Sequence, residues 1–66
     1  MKVNPTKLNL IMARSKVNPY DLCEKAEICY ASYHRIVSGK KCKPATVGRL
    51  ASALQVDVVE ILEEEY

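Results

Sequence analysis

Few side chains in this 66-residue chain are equipped for covalent or metal chemistry. Three cysteines (Cys23, Cys29, Cys42) and a single histidine (His34) are its whole supply of soft ligands and nucleophile–base partners. A structural zinc site needs closely spaced ligand pairs, typically Cys-x-x-Cys, and no such pair occurs here. Three thiols cannot all pair within one chain, unlike the even disulfide framework of a small secreted domain. The cysteines therefore read as small apolar side chains in or beside a core, with Cys42 expected to be the most exposed. There is no glycine-rich phosphate loop and no pair of acids set to share a cleft. Neither an enzyme nor a metal, a cofactor or a small-molecule substrate is expected.

What remains is the chemistry of charge and hydrogen bonding. The formal net charge is only +2, but it is unevenly spread. Residues 1–56 carry all ten bases against three acids (Asp21, Glu24, Glu27). Residues 57–66 carry five acids (Asp57, Glu60, Glu63, Glu64, Glu65) and no base. A basic body with an acidic tail points to a polyanionic partner. The longest apolar run, residues 10–13, is far short of the ~20 residues that a membrane span requires and too short for a signal-peptide core. An intracellular, cytoplasmic chain without a membrane partner is expected.

The elements that position these groups are helices. Asn4-Pro5 and Asn18-Pro19 are helix openings, because Asn accepts from free first-turn amides and Pro lacks the donor that would be idle there. Leu8, Ile11 and Met12, with Ser15 as a weaker fourth, mark one face of a first helix; Leu22, Cys23 and Ala26 mark a second. A third helix opens near Cys29, carries Tyr33, Ile36 and Val37 inward, and closes at Ser38-Gly39, where Gly suits a left-handed stop. A fourth follows Lys43-Pro44 with Val47, Leu50, Ala51 and Leu54 in register. Asp57 with Glu60 is a capping box for a fifth, which turns Ile61 and Leu62 inward beside Val56 and Val58. No strand pattern competes. The expectation is one all-α domain over residues 1–66, five helices around one core, with an acidic tail at about 63–66.

Residues 18–39 hold two short helices separated by Glu27-Ile28-Cys29, with Leu22-Cys23, then Tyr33, then Ile36-Val37-Ser38-Gly39. The run Leu50-Ala51-Ser52-Ala53-Leu54 follows, with Val56 beyond it. Together these residues resemble the helix-turn-helix of the Cro and phage-repressor (XRE-like) DNA-binding family over roughly residues 5–62. Leu22-Cys23 is similar to the family's Leu-small pair, Tyr33 and Ile36 to its two inward positions, and residues 50–56 to its fourth-helix signature. The resemblance implies a compact, five-helix, lambda-repressor-like fold with the helix-turn-helix at helices two and three.

There are three departures. Pro19 stands where the family usually has Gln, and Glu27 where it has the Gly of the turn. Left-handed backbone costs an L-residue ~1–2 kcal/mol, so either Glu27 is strained or the turn is reshaped. Met12 and Val37 stand where many relatives pair an Arg and a Glu across the core. Both charges are gone together, and an apolar pair can replace a buried ion pair without loss.

The family's mechanism is expected to carry over as follows. A recognition helix at about 30–38 enters the major groove, where its N-terminal residues reach base edges. Tyr30, Ala31, Ser32, His34 and Arg35 are the candidate base contacts. Arg35 is suited to the O6 and N7 acceptors of guanine and Ala31 to a thymine methyl. Asn18, Tyr20, Ser38, Lys40, Lys41 and Lys43 are the candidate phosphate contacts. A helix this short reads four or five base pairs, so a homodimer on a palindromic operator is implied, with Gln55, Val58 and Val59 as candidate dimer contacts. The function expected is a small transcriptional regulator, a repressor, of double-stranded DNA. The alternative is a protein-interaction module on the same scaffold, antitoxin-like or a regulatory adaptor. A surface aromatic, a solvated basic loop and a frayed tail are the bland readings of Tyr30, of Lys40, Lys41 and Lys43, and of residues 63–66.

Overall fold

The computed structural model describes residues 1–63. The chain forms four α-helices, α1 (Pro5–Ser15), α2 (Pro19–Ala26), α3 (Tyr30–Val37) and α4 (Pro44–Leu54), followed by one 3-10 turn at Val58–Glu60. All three prolines of the chain open a helix. The Asn4 side-chain oxygen accepts from the amides of Thr6 (2.9 Å) and Lys7 (3.2 Å), and that of Asn18 accepts from Asp21 (2.8 Å). These two caps satisfy orphan donors that would otherwise face only water.

The core gathers Leu8, Ile11 and Met12 of α1, Leu22, Cys23 and Ala26 of α2, Tyr33 and Ile36 of α3, and Val47, Leu50, Ala51 and Leu54 of α4. Helix α4 lies against both α2 and α1, while α3 packs on α2. Leu8, Leu22, Val47 and Leu50 have no exposed surface, so the middle of the molecule is aliphatic and dry. Met12 is buried and Val37 half-buried against this core, and the Tyr33 hydroxyl donates to the Met12 sulfur at 3.8 Å. No described helix is long and apolar enough to cross a membrane. Ser15, expected weakly on the inner face of α1, is exposed.

The expected fifth helix is a single 3-10 turn. Its capping box forms, with the Asp57 carboxylate accepting from the Val59 amide (3.1 Å) and the Glu60 carboxylate from the Asp57 amide (3.0 Å). Propagation stops because the backbone beyond it is used elsewhere. The Ile61 carbonyl accepts from Asn4 (2.8 Å), the Glu63 amide donates to Lys2 (3.0 Å), and the Lys7 ammonium donates to the Leu62 carbonyl (3.2 Å). Val3 and Leu62 thereby form an isolated antiparallel bridge, which the sequence did not announce, and both are buried. Ile61 and Leu62 face inward as expected, from this bridge and not from a helix. Residues 64–66, most of the expected acidic tail, lie outside the described residues.

Helix ends show a repeated device. Lys16, Glu27 and Gln55 follow α1, α2 and α4 with φ of 56, 58 and 57 degrees. In each case the next amide reaches back five residues: Val17 to Met12, Ile28 to Cys23 and Val56 to Ala51, all at 3.0 Å. This is the Schellman arrangement, and Val17, Ile28 and Val56 supply the apolar contact that accompanies it. Only α3 gives the left-handed position to a glycine, Gly39 (φ 96). Glu27 is thus in the strained conformation, and the turn keeps its shape. Glu27→Gly removes about 1–2 kcal/mol of left-handed cost and returns up to about 1 kcal/mol as chain entropy. A net gain of about 0.5–1 kcal/mol, a melting temperature higher by several degrees, is expected by thermal unfolding. Glu27→Ala keeps the Cβ and should bring no such gain; equal gains from Gly and Ala would show that the backbone is unstrained.

Candidate nucleic-acid interface

Tyr33 and Ile36 anchor α3 to α2 and the core, which decides what the helix shows to solvent. Ala31, His34, Arg35 and Ser38 are all exposed and recur at the i, i+3, i+4, i+7 spacing of one helical face. Eight residues make a rod about 12 Å long, whose solvent face bears a methyl, an imidazole and a guanidinium and is continued by the hydroxyl of the C-cap residue Ser38. The backbone at its C-terminal end is held. The Ser38 hydroxyl donates to the Arg35 carbonyl at 2.8 Å, and the Lys40 amide donates to the same carbonyl at 3.3 Å.

The loop after α3 presents Lys40, Lys41 and Lys43 to solvent, with Cys42 half-buried between two of them. Cys42 is tethered to the N-terminal segment, its amide donating to the Met1 carbonyl at 2.7 Å and its thiol to the same oxygen at 3.4 Å. This tether fixes the direction in which the flanking lysines leave the surface. An open groove between α3 and the loop is lined by Ser32, Arg35, Lys41, Lys43 and Thr46. Two expected base-contact residues and two expected phosphate-contact residues therefore share one basic groove. Thr46, on the first turn of α4, was not foreseen.

The other end of α3 is aromatic. Tyr30, half-buried, stacks on Tyr20 of α2 with centroids 4.6 Å apart and planes 9° from parallel. Tyr33 lies behind it at 5.8 Å, and His34 meets it edge-on at 4.9 Å. Tyr20 is 68% exposed, the most exposed of the large apolar and aromatic side chains among the described residues. Burial, and then the adjacent Tyr20 phenol, push the Tyr30 hydroxyl above its usual range, and burial does the same for Tyr33. Asn18, also exposed, uses its side-chain oxygen in the α2 cap and keeps only its amide hydrogens for a ligand. Gln55 and Val59 are exposed and Val58 is half-buried.

The thiols rank differently from expectation. Cys29 is exposed, Cys42 intermediate and Cys23 buried. Cys42 is drawn inward by its tether to Met1, whereas Cys29 starts α3 with its sulfur 3.2 Å from the Ser32 hydroxyl. That hydroxyl, and then the Ser32 amide, lower the Cys29 thiol, while burial raises Cys23 and Cys42. Iodoacetamide at neutral pH should therefore label Cys29 first, Cys42 more slowly and Cys23 only on unfolding, as read by mass spectrometry of digests. Labelling of Cys42 ahead of Cys29 would contradict this ranking. Among the described residues no three His, Cys, Asp or Glu side chains gather as a metal-binding group.

Comparison with known proteins adds the following. The family described as the Cro/C1-type HTH DNA-binding domain matches residues 7–65. No curated protein matches the chain significantly. Among solved structures, a hydroxyethylphosphonate dioxygenase mutant superposes with a TM-score of 0.84, and PhpD with cadmium complexed with hydroethylphosphonate with 0.82. Native PhpD with cadmium atoms gives 0.83. Each is 23% identical, and the match covers 100% of this chain but 14% of the other. At that identity the likeness concerns the fold alone.

Proposed function

The chain belongs to the Cro/C1-type helix-turn-helix DNA-binding domain family, and from that premise we propose that it is a sequence-specific transcriptional regulator, a repressor that binds a palindromic operator as a homodimer in the cytoplasm. Its role is binding, not catalysis. The observation that carries this reading is the shared face: the exposed stripe of Ala31, His34, Arg35 and Ser38 runs directly into the lysines that follow α3. B-DNA's major groove, about 12 Å wide, accepts one such helix, and the strand flanking it passes the basic loop.

In this pose Arg35 offers its planar fork to guanine, Ala31 its methyl to thymine, and Tyr30, Ser32 and His34 reach neighbouring base edges. Asn18 and the amides opening α2, together with Tyr20, Ser38, Lys40, Lys41 and Lys43, hold phosphates and set the register. Gln55, Val58 and Val59 are the proposed two-fold contact, with half-sites about one helical turn apart.

Salt dependence tests the reading. Each neutralised phosphate releases counterions, so log affinity falls with log salt by about 0.9 per phosphate contact. Lys40→Gln with Lys41→Gln should weaken binding to every duplex alike and flatten the slope by about 2, as read by fluorescence anisotropy across a salt series. A loss confined to one sequence would contradict a phosphate role. Negligible affinity for duplex DNA, with a protein partner held through an apolar interface that barely responds to salt, would favour the protein-interaction module instead.

A further inference from the structure

The N-terminal end of α3 carries one contact that the proposed DNA pose leaves unexplained. Tyr30, at the first turn of α3, is surrounded by three rings. Tyr33 and His34 sit on α3 itself, three and four residues on, and move with it. Tyr20 alone comes from another helix, and it makes the closest and most parallel contact, 4.6 Å and 9°. A tyrosine that is 68% exposed gains little from burial, so its orderly stacking is the main thing its ring does in the free protein. Parallel aromatic pairs are worth a factor of about 2 to 13 beyond the area they cover. The Tyr20 ring occupies the α2 side of Tyr30, so a rotation of Tyr30 toward α2 meets that ring and a rotation away forfeits the stack.

We propose that Tyr20 is a positioning residue for sequence readout: its ring braces Tyr30 against rotation, so that Tyr30 meets one base step in an orientation set before DNA arrives. A side chain ordered in advance loses less entropy on contact, and it penalises a base that would require another rotamer. The brace acts through the face of the Tyr20 ring, whereas a phosphate contact acts through its hydroxyl, and the two roles separate on substitution. This inference rests on the DNA-binding reading above, except for the brace itself, which exists or fails without DNA.

The test uses Tyr20→Phe and Tyr20→Leu, both compared with the unaltered chain, after thermal melts have established that each folds. In the free proteins, NMR couplings and ring-current shifts report the Tyr30 rotamer. Tyr20→Phe should keep one rotamer and Tyr20→Leu should release it. Each protein is then used to select duplexes from a random pool. Tyr20→Phe should return the original preference, and Tyr20→Leu should lose about 3- to 10-fold discrimination at one or two adjacent base pairs, while the loss of affinity for non-selected duplex that follows from the missing hydroxyl is the same in both. A Tyr20→Leu protein that keeps a single Tyr30 rotamer overturns the brace, whatever happens on DNA. Equal losses of discrimination in Phe and Leu overturn it in favour of a readout through the hydroxyl. If the unaltered chain selects no sequence, the DNA reading fails and takes the readout role with it, while the rotamer measurement still decides the brace.

Discussion

Met12→Arg should cost the domain about 3–5 kcal/mol, leaving much of the population unfolded under conditions where the native chain is folded. Met12 is only 5% exposed, beside Leu8 and Ile11, and the one hydrogen bond to its sulfur comes from the Tyr33 hydroxyl. Among the described residues no acid is buried, so a guanidinium at this place meets no buried anion. The residue that stands where relatives pair such an arginine with a glutamate is Val37, which is apolar and half-buried. A domain of 66 residues commands about 3–10 kcal/mol in all, so a single uncompensated buried charge removes a large part of it. Denaturant unfolding measures the loss. Adding Val37→Glu to Met12→Arg should recover a substantial share, giving a coupling energy well above the additive expectation. An unchanged midpoint for Met12→Arg alone would mean that the site tolerates the charge and that the apolar replacement is not a matched pair.

The second large effect is on binding. Arg35→Ala should weaken the specific complex by about 1–3 kcal/mol, roughly 5- to 150-fold, and relax discrimination at one base position. Arg35 is exposed on the same face as Ala31, His34 and Ser38, and it lines the groove with Lys41 and Lys43. Its own carbonyl is held by Ser38 and Lys40, which keeps the end of α3 rigid while the side chain stays free. Because it makes no buried contact, the substitution should leave the melting temperature close to that of the parent. The effect therefore reads recognition and not folding. Loss of affinity for all duplexes in equal measure would make Arg35 a phosphate contact. No loss at all would remove it from the interface.

Much of this architecture was legible from local chemistry. Asn4-Pro5, Asn18-Pro19 and Pro44 announce three helix starts on their own, and the spacing of Val47, Leu50, Ala51 and Leu54 defines α4 without help from its neighbours. The register of Tyr33 with Ile36 points it inward, and the turn's need for a left-handed residue falls on Glu27, as the structure has both. The misses are tertiary. Asp57 and Glu60 cap a turn as read, but the strand-like pairing of residues 61–63 with 2–4 stops the helix, and that pairing joins the two ends of the chain. Val3 had no periodic partner to mark it as core, although it is 1% exposed. Lys16 and Gln55 look like ordinary polar residues. Their signal was the apolar, β-branched residue after each, Val17 and Val56, repeating the Glu27-Ile28 arrangement.

The candidate interface divides in the same way. The solvent stripe of α3 follows directly from which residues are buried, so Ala31, His34, Arg35 and Ser38 could be named from the sequence. Local pattern could not reveal that Tyr20 and Tyr30, ten residues apart, lie face to face, because that contact depends on the angle between two helices. Nor could it show Cys42 pulled inward by Met1, which left Cys29 as the exposed thiol.

Dimethyl sulfate protection on a duplex selected by the protein is the most direct measurement, because guanine N7 is a major-groove atom and no backbone contact shields it. Guanines within each half-site should be protected in the complex, and the protection opposite Arg35 should disappear in Arg35→Ala while the complex still forms. Full methylation of every guanine in a saturated complex would mean that α3 is not in the groove.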